Sequence, residues 1–252
     1  GQTYFLLFDD AMISMTYAKN LADGFGLVWN PLENPVEGYT NLLWTLIMSA
    51  VHLLPISAAF TSLVIMLFGI FTLLGCIKLS SMILSEFTKK ETDHLALILV
   101  VASYYPLIFW TLRGMEVGLQ TLFILSGIFS TLKILKSDRI DFHLIYLCSS
   151  CFLAISTRLD SIMVFFVMGL YLIPFIFEKN KKYIPLIFLI TAISTIIILF
   201  GFRYLYYGEL FPNTYYLKVH GVPLIDRLKR GVGALLNTVI IHWSIILSLI
   251  HI

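Results

Sequence analysis

Charge is scarce in this chain. Asp, Glu, Lys and Arg make up 13% of its 252 residues and leave a formal net charge of +2, against roughly 25% charged residues in an average soluble domain. Cysteine is scarcer still. Cys76, Cys148 and Cys151 are an odd set, each inside an apolar run, and Cys148-x-x-Cys151 has neither a second pair nor a His-x-x-His nearby. They read as buried structural cysteines rather than metal or redox groups. The six histidines show no metal-ligand spacing. There is no Walker loop, G-x-G-x-x-G, G-x-S-x-G or H-E-x-x-H, so ATP-driven transport and zinc proteolysis have no support. Repeats with a period of 20–50 residues and low-complexity linkers are also missing.

What is there is apolar. The AVILMFWYC residues account for 59% of the chain, and the mean hydropathy is +0.90. One soluble core stops growing near roughly 250–300 residues and could not hide that much apolar surface. Soluble enzymes, nucleic-acid binders, disordered regulators and secreted disulfide scaffolds are thereby excluded. The composition defines an all-α polytopic membrane protein in a lipid bilayer.

A crossing helix takes about 20 mostly apolar residues. Runs of that kind fall at 58–83, 94–111, 117–135, 142–157, 160–177, 183–206 and 232–252, about seven complete spans. Tyr4-Phe5-Leu6-Leu7-Phe8 reads as the end of a truncated first span, and the last run stops while still hydrophobic. The expectation is one integral domain over 1–252, cut at both ends, with a first extracytoplasmic loop over 9–57. The apolar run 40–54 is short and precedes Pro55. If it does not cross, the short loops 84–93, 133–141 and 178–182, with their lysines and Arg139, all share one face, which the positive-inside rule makes cytoplasmic. The run 40–54 is then an interfacial or re-entrant helix of the outer loop rather than a span. The opposite face collects Asp9-Asp10, Arg113-Gly114-Met115-Glu116, Arg158-Leu159-Asp160 and the 206–218 segment. Arg227, Lys229 and Arg230 also fall outside, against the rule, where they could face lipid phosphates.

Each outer group has an ordinary reading and a chemical one. Asp9 and Asp10 suit a helix start; alternatively one is a general base and the other orients an acceptor, a divalent metal or its neighbour. Glu116, at another helix start, is favoured by the macrodipole. Arg158 and Asp160 make a local ion pair across a turn, or Arg158 neutralises a phosphate while Asp160 fixes its orientation. Trp29, Tyr39 and Trp44 suit a membrane interface or stack on sugar rings, and Asn30, Glu33, Glu37 and Asn41 could hydrogen-bond hydroxyls. Pro212-Asn213 is turn chemistry, and Lys218 is an interfacial lysine or a partner for a lipid phosphate.

Together these words resemble a family. Phe8-Asp9-Asp10-Ala11, then Tyr17-Ala18-x-Asn20-Leu21-Ala22-x-Gly24-x-Gly26-Leu27-Val28-x-Asn30-Pro31, then Glu37-Gly38-Tyr39-Thr40-Asn41-x-Leu43-Trp44 resemble the first external loop of GT-C glycosyltransferases. The similarity is to the bacterial branch that resembles the terminal arabinofuranosyltransferases of mycobacterial cell walls. Gly114-Met115-Glu116 resembles its second motif, Arg158-Leu159-Asp160 its Arg-Pro-Asp with Leu for Pro, and Tyr207-Gly208 with Pro212-Asn213-Thr214-Tyr215 and Lys218 its later external motif. The resemblance implies an enzyme of the bacterial cytoplasmic membrane with its active site outside. It would use a polyprenyl-phosphate-linked sugar donor and a glycan, lipid or protein acceptor, typically with inversion at the anomeric carbon.

On that resemblance Asp9 or Asp10 is the general base. Glu116 and Asp160 position substrate, Arg158 and Lys218 carry the phosphate charge, and Asn30, Glu37, Tyr39, Arg113 and Asn213 complete the binding set. A divalent cation, if used, would fall to Asp9, Asp10 and Glu116. The rival readings are a transporter or flippase of lipid-linked sugars and a non-catalytic scaffold. A transporter calls for ionisable groups near the midplane and broken helices, whereas these spans are nearly free of acids.

Overall fold

The computed structural model describes residues 5–136, 140–178, 181–219 and 221–241. Every regular element among them is helical. The chain divides into two compact units, Gly1–Leu210 and Phe211–Ile252.

The first unit opens with α1 (Asp9–Ala22), a structured loop, and α2 (Leu42–His52). Eleven residues give α2 about 16 Å of length, half of a bilayer core. It therefore packs on its neighbours instead of crossing. Trp44 and Met48 of α2 meet Ala11 and Met15 of α1, Ile65 of α3 (Ala58–Leu84) and Leu119 of α6 (Val117–Lys136) in one buried cluster. The second cluster joins α7 (Ile140–Thr157), α8 (Ile162–Leu172) and α9 (Tyr183–Tyr207) around Leu147, Ile155, Phe165, Leu172 and Ile184. Between α3 and α9, α4 (Glu91–Ser103) and α5 (Tyr105–Leu112) form a pair bent by 50°. Pro106 in the first turn of α5 has no N–H to continue the ladder, which breaks the helix there.

Among the described residues four helical stretches are long and apolar enough to cross a membrane: Ala59–Leu84, Val117–Lys136, Leu159–Phe177 and Tyr183–Tyr207. Counting the bent pair makes five. The expected runs 58–83, 94–111, 117–135, 160–177 and 183–206 correspond to these stretches. The apolar part of α7, Asp141–Thr157, has 17 residues, about 25 Å of helix against a core of about 30 Å. The run 232–252 starts inside a helix that already began at Leu224, and 242–252 lie outside the described residues.

Small residues let these helices approach closely, as membrane bundles require. A Cβ at Gly118 of α6 would strike the Thr111 side chain of α5 and lie 2.8 Å from the Thr72 hydroxyl of α3. Ser150 of α7 donates to the Ser126 hydroxyl of α6 at 2.9 Å.

The helices carry the polar connections to two opposite ends. At one end Lys133 pairs with Glu86 at 2.7 Å, Lys136 donates to the Glu86 carbonyl at 2.8 Å, and Tyr183 donates to Asp141 at 2.6 Å. Lys89 and Lys90 sit in the α3–α4 connection at that end; Arg139 and Lys179 lie outside the described residues. The other end, about 30 Å away along the 20 residues of α6, holds the start of α1, the outer loop, Arg113–Glu116 and Arg158–Asp160.

Candidate functional site

The acidic pair stands at the first turn of α1. Phe8 occupies the N-cap and provides no side-chain cap, so Asp9 and Asp10 complement the helix dipole. Both are exposed. The chain just before them is fixed to the α5–α6 turn: the Phe8 N–H donates to the Arg113 carbonyl at 2.9 Å, and Trp44 Nε1 donates to the Gly114 carbonyl at 2.9 Å. Gly114 holds φ +84, and a Cβ there would lie 2.9 Å from Leu7 Cδ2. Left-handed backbone costs an L-residue roughly 1–2 kcal/mol. Gly114→Ala should therefore lower stability by about 2 kcal/mol, read as a drop in the thermal midpoint of the detergent-solubilised protein.

One polar chain runs through this end. The Ser14 hydroxyl donates to Asn41 Oδ1 at 2.9 Å, and Asn41 Nδ2 donates to Glu116 Oε2 at 2.8 Å. Arg158 Nη1 donates to Glu116 Oε1 at 2.8 Å. The same guanidinium turns its Nε and Nη2 to Asp160, with Nη2 at 3.1 Å from Oδ2. Gln120 Nε2 donates to Asp160 Oδ1 and to the Ser161 hydroxyl, each at 3.0 Å. Glu116, only 1% exposed, is thus held on both oxygens. Asp160 is open, its side chain 53% exposed. One guanidinium against two carboxylates leaves the trio formally one charge negative. Arg158 has five N–H donors, of which three are engaged among the described residues, so two N–H groups and an exposed carboxylate remain for a ligand.

The outer loop is fastened to the same end by aromatic and ionic contacts. Tyr17 donates to the Val36 carbonyl at 2.7 Å and accepts from the Gly38 N–H at 2.9 Å. Asn20 donates to the Val28 and Trp29 carbonyls. Tyr206 accepts from the Leu27 N–H at 2.9 Å. Tyr207 gives its only proton to the Leu27 carbonyl at 2.8 Å, so in the 3.0 Å contact between Tyr39 and Tyr207 the Tyr39 hydroxyl is the donor. Arg203 Nε reaches both Glu37 oxygens, at 3.0 and 2.9 Å, with side chains 7% and 3% exposed. Arg203 also lies over the Phe200 ring at 5.7 Å, while its Nη1 has no hydrogen-bond acceptor among the described residues. Burial pushes the Glu37 carboxyl above its usual range, with the Arg203 guanidinium pulling the other way. Burial likewise raises the Tyr39 phenol.

The expected site residues therefore separate into groups. Glu116, Arg158 and Asp160 come together, at the end where Asp9 and Asp10 begin α1. Glu37 and Tyr39 are buried in the loop's own scaffold instead of lining an open surface. Asn30 closes a local turn, donating to Glu33 at 2.9 Å and accepting from the Leu32 N–H. Arg113 is exposed over the Phe109 ring at 5.5 Å. Asn213 and Lys218 begin and end α10 (Asn213–Lys218) in the second unit. Among the described residues no three His, Cys, Asp or Glu side chains gather as a metal-ligand set, so Asp9, Asp10 and Glu116 do not form one. Ser14, Gln120, Ser161, Arg203 and Tyr207 join the arrangement without having been singled out as site residues in the sequence.

No family model, curated protein or solved structure matches the chain. Among the described residues the fold defines an all-α membrane protein with four to five helices long and apolar enough to cross a bilayer, carrying a carboxylate-rich polar cluster at one end.

Proposed function

We propose that the chain is the catalytic membrane part of a GT-C-type glycosyltransferase of the bacterial cytoplasmic membrane, moving a sugar from a polyprenyl-phosphate donor to a cell-envelope acceptor on the outer face. The observation that carries this reading is the chain of hydrogen bonds from Ser14 through Asn41 and Glu116 to Arg158 and Asp160. It gathers three separate sequence words at the end of the bundle where the acidic pair stands. A donor carried by the lipid arrives at such a boundary by lateral diffusion.

In the proposed reaction a carboxylate takes the proton of the acceptor hydroxyl as its oxygen attacks the anomeric carbon. The bond from that carbon to the phosphate oxygen breaks with inversion, and the polyprenyl phosphate leaves with the electron pair. Phosphate is a good leaving group, so its departure needs charge stabilisation rather than a strong acid. The two unengaged N–H groups of Arg158 supply it, with the guanidinium plane fixed by Glu116 and Asp160. Of the two aspartates, Asp10 is the better base. It lies four residues before Ser14, on the same face of α1, and helical side chains lean toward the N-terminus, so the Ser14 side chain leans toward the turn that carries Asp10. Asp9 is turned by about 100° from that line.

Arg158→Lys keeps the charge but loses the fork that engages two carboxylates at once. In proteoliposomes with a radiolabelled polyprenyl-phosphate sugar, this variant should turn over donor at least about tenfold more slowly while unfolding at the wild-type midpoint. Unchanged turnover would remove Arg158 from the reaction. Movement of intact donor between leaflets, with no sugar–phosphate bond cleaved, would favour the flippase reading.

A further inference from the structure

The second unit contains α11 (Leu224–Ile241), whose sequence is divided lengthwise. At 3.6 residues per turn, Leu224, Ile225, Leu228, Val232, Leu235 and Leu236 fall within a sector of about 120°. Each is more than half exposed, from 55% to 65%. Asp226, Arg227, Arg230, Asn237 and Thr238 occupy the opposite side, and Lys229 sits at the boundary. Three cations against Asp226 leave the helix two charges positive. Within the second unit the one carboxylate, Asp226, lies outside ion-pair distance of Arg227, Lys229 and Arg230. A lipid-facing span is apolar all round. This helix is not: Asp226, Arg227, Arg230 and Asn237 line one side of it. It begins 17 residues after α9 ends at Tyr207, which tethers it to a membrane-crossing helix.

We infer that α11 lies flat in the membrane interface, with its leucine-rich face in the acyl boundary and Arg227, Lys229 and Arg230 on anionic lipid headgroups. An apolar stripe beside unpaired cations is the chemistry that such a surface recognises. The inference also gives a physical reason for three basic residues on the side that the positive-inside rule leaves poor in them: in-plane cations bind headgroups instead of setting the direction of a crossing. It does not depend on the transfer chemistry.

The test is a nitroxide scan over 226–238 of the whole chain, with Cys76, Cys148 and Cys151 replaced by alanine, in liposomes of phosphatidylcholine with or without phosphatidylglycerol. With phosphatidylglycerol, oxygen accessibility should oscillate with the helical period. Labels at Leu228, Val232 and Leu235 should share one shallow depth, and those at Arg230 and Asn237 should contact an aqueous relaxer. Without the anionic lipid, or with Arg227, Lys229 and Arg230 all changed to Gln, the Leu228 and Leu235 labels should lose at least half of their oxygen contact. A depth that increases steadily from 226 to 238 would overturn the inference in favour of a crossing helix. Oxygen contact absent from the leucine face would overturn it in favour of a protein-covered one. Equal insertion in both lipids would overturn the headgroup assignment.

Discussion

Asp10→Asn should lower sugar transfer by about 10²–10⁴-fold, the contribution of a positioned general base, while Asp9→Asn should stay within about fivefold of wild type. The comparison controls itself. Both residues stand in the first turn of α1, where each carboxylate stabilises the helix start by about 0.3–1 kcal/mol, so the two variants lose the same small amount of stability. A difference in rate then reports chemistry and not folding. Asp10 shares its helix face with Ser14, which is hydrogen-bonded to Asn41; Asp9 does not. Initial rates of transfer in proteoliposomes, alongside matched unfolding midpoints, provide the check. A fully active Asp10→Asn protein would remove that residue as base, and a dead Asp9→Asn protein with normal Asp10→Asn activity would exchange the two roles.

The second large effect belongs to the pair that fastens the loop. Arg203→Met leaves the Glu37 carboxylate buried without its cation, and removing one partner of a buried pair costs roughly 3–5 kcal/mol. The lost stability should appear as a lowered thermal midpoint and as proteolytic cutting at the exposed segment 31–36. Glu37→Gln combined with Arg203→Met should recover most of the loss, because no unpaired charge then remains. The pH dependence has a definite sign. Burial already raises the Glu37 carboxyl despite Arg203, and without Arg203 it rises further. The folded variant then binds a proton more tightly than the unfolded chain, so its stability increases as pH falls through the raised value and decreases as pH climbs above it. The gap between Arg203→Met and wild type should accordingly narrow from pH 7 to pH 5. A gap that widened on acidification would contradict a buried, charge-paired Glu37.

Helix positions were legible because apolar runs and their basic loops are local signals. The run 117–135 became Val117–Lys136, and 183–206 became Tyr183–Tyr207. The sharing of one end by Asp9-Asp10, Glu116 and Arg158–Asp160 was legible too, through alternation of crossings. Three features were hidden. The network partners are far apart along the chain, 75 residues for Asn41 with Glu116 and 166 for Glu37 with Arg203, and no spacing rule reaches that far. Arg203 did leave a signal: one arginine in the otherwise uncharged 25-residue helix α9 is costly in a membrane and calls for a partner. The apolar count of the 183–206 window absorbed it. The window 232–252 in turn concealed the lengthwise division of α11, which shows only when the helix is followed from Leu224. Counting apolar residues also passed over the break at Pro106, which bends the α4–α5 pair by 50°.

The most direct test of a transfer site at this end of the bundle is to identify the lipid product. The purified protein in proteoliposomes, given a panel of polyprenyl-phosphate sugars and a cell-envelope acceptor, should release one polyprenyl phosphate for each sugar transferred, with the new glycosidic bond inverted relative to the donor. Donor recovered intact across the whole panel, or a product that retained the donor's configuration, would contradict a single displacement driven by a carboxylate base beside Glu116, Arg158 and Asp160.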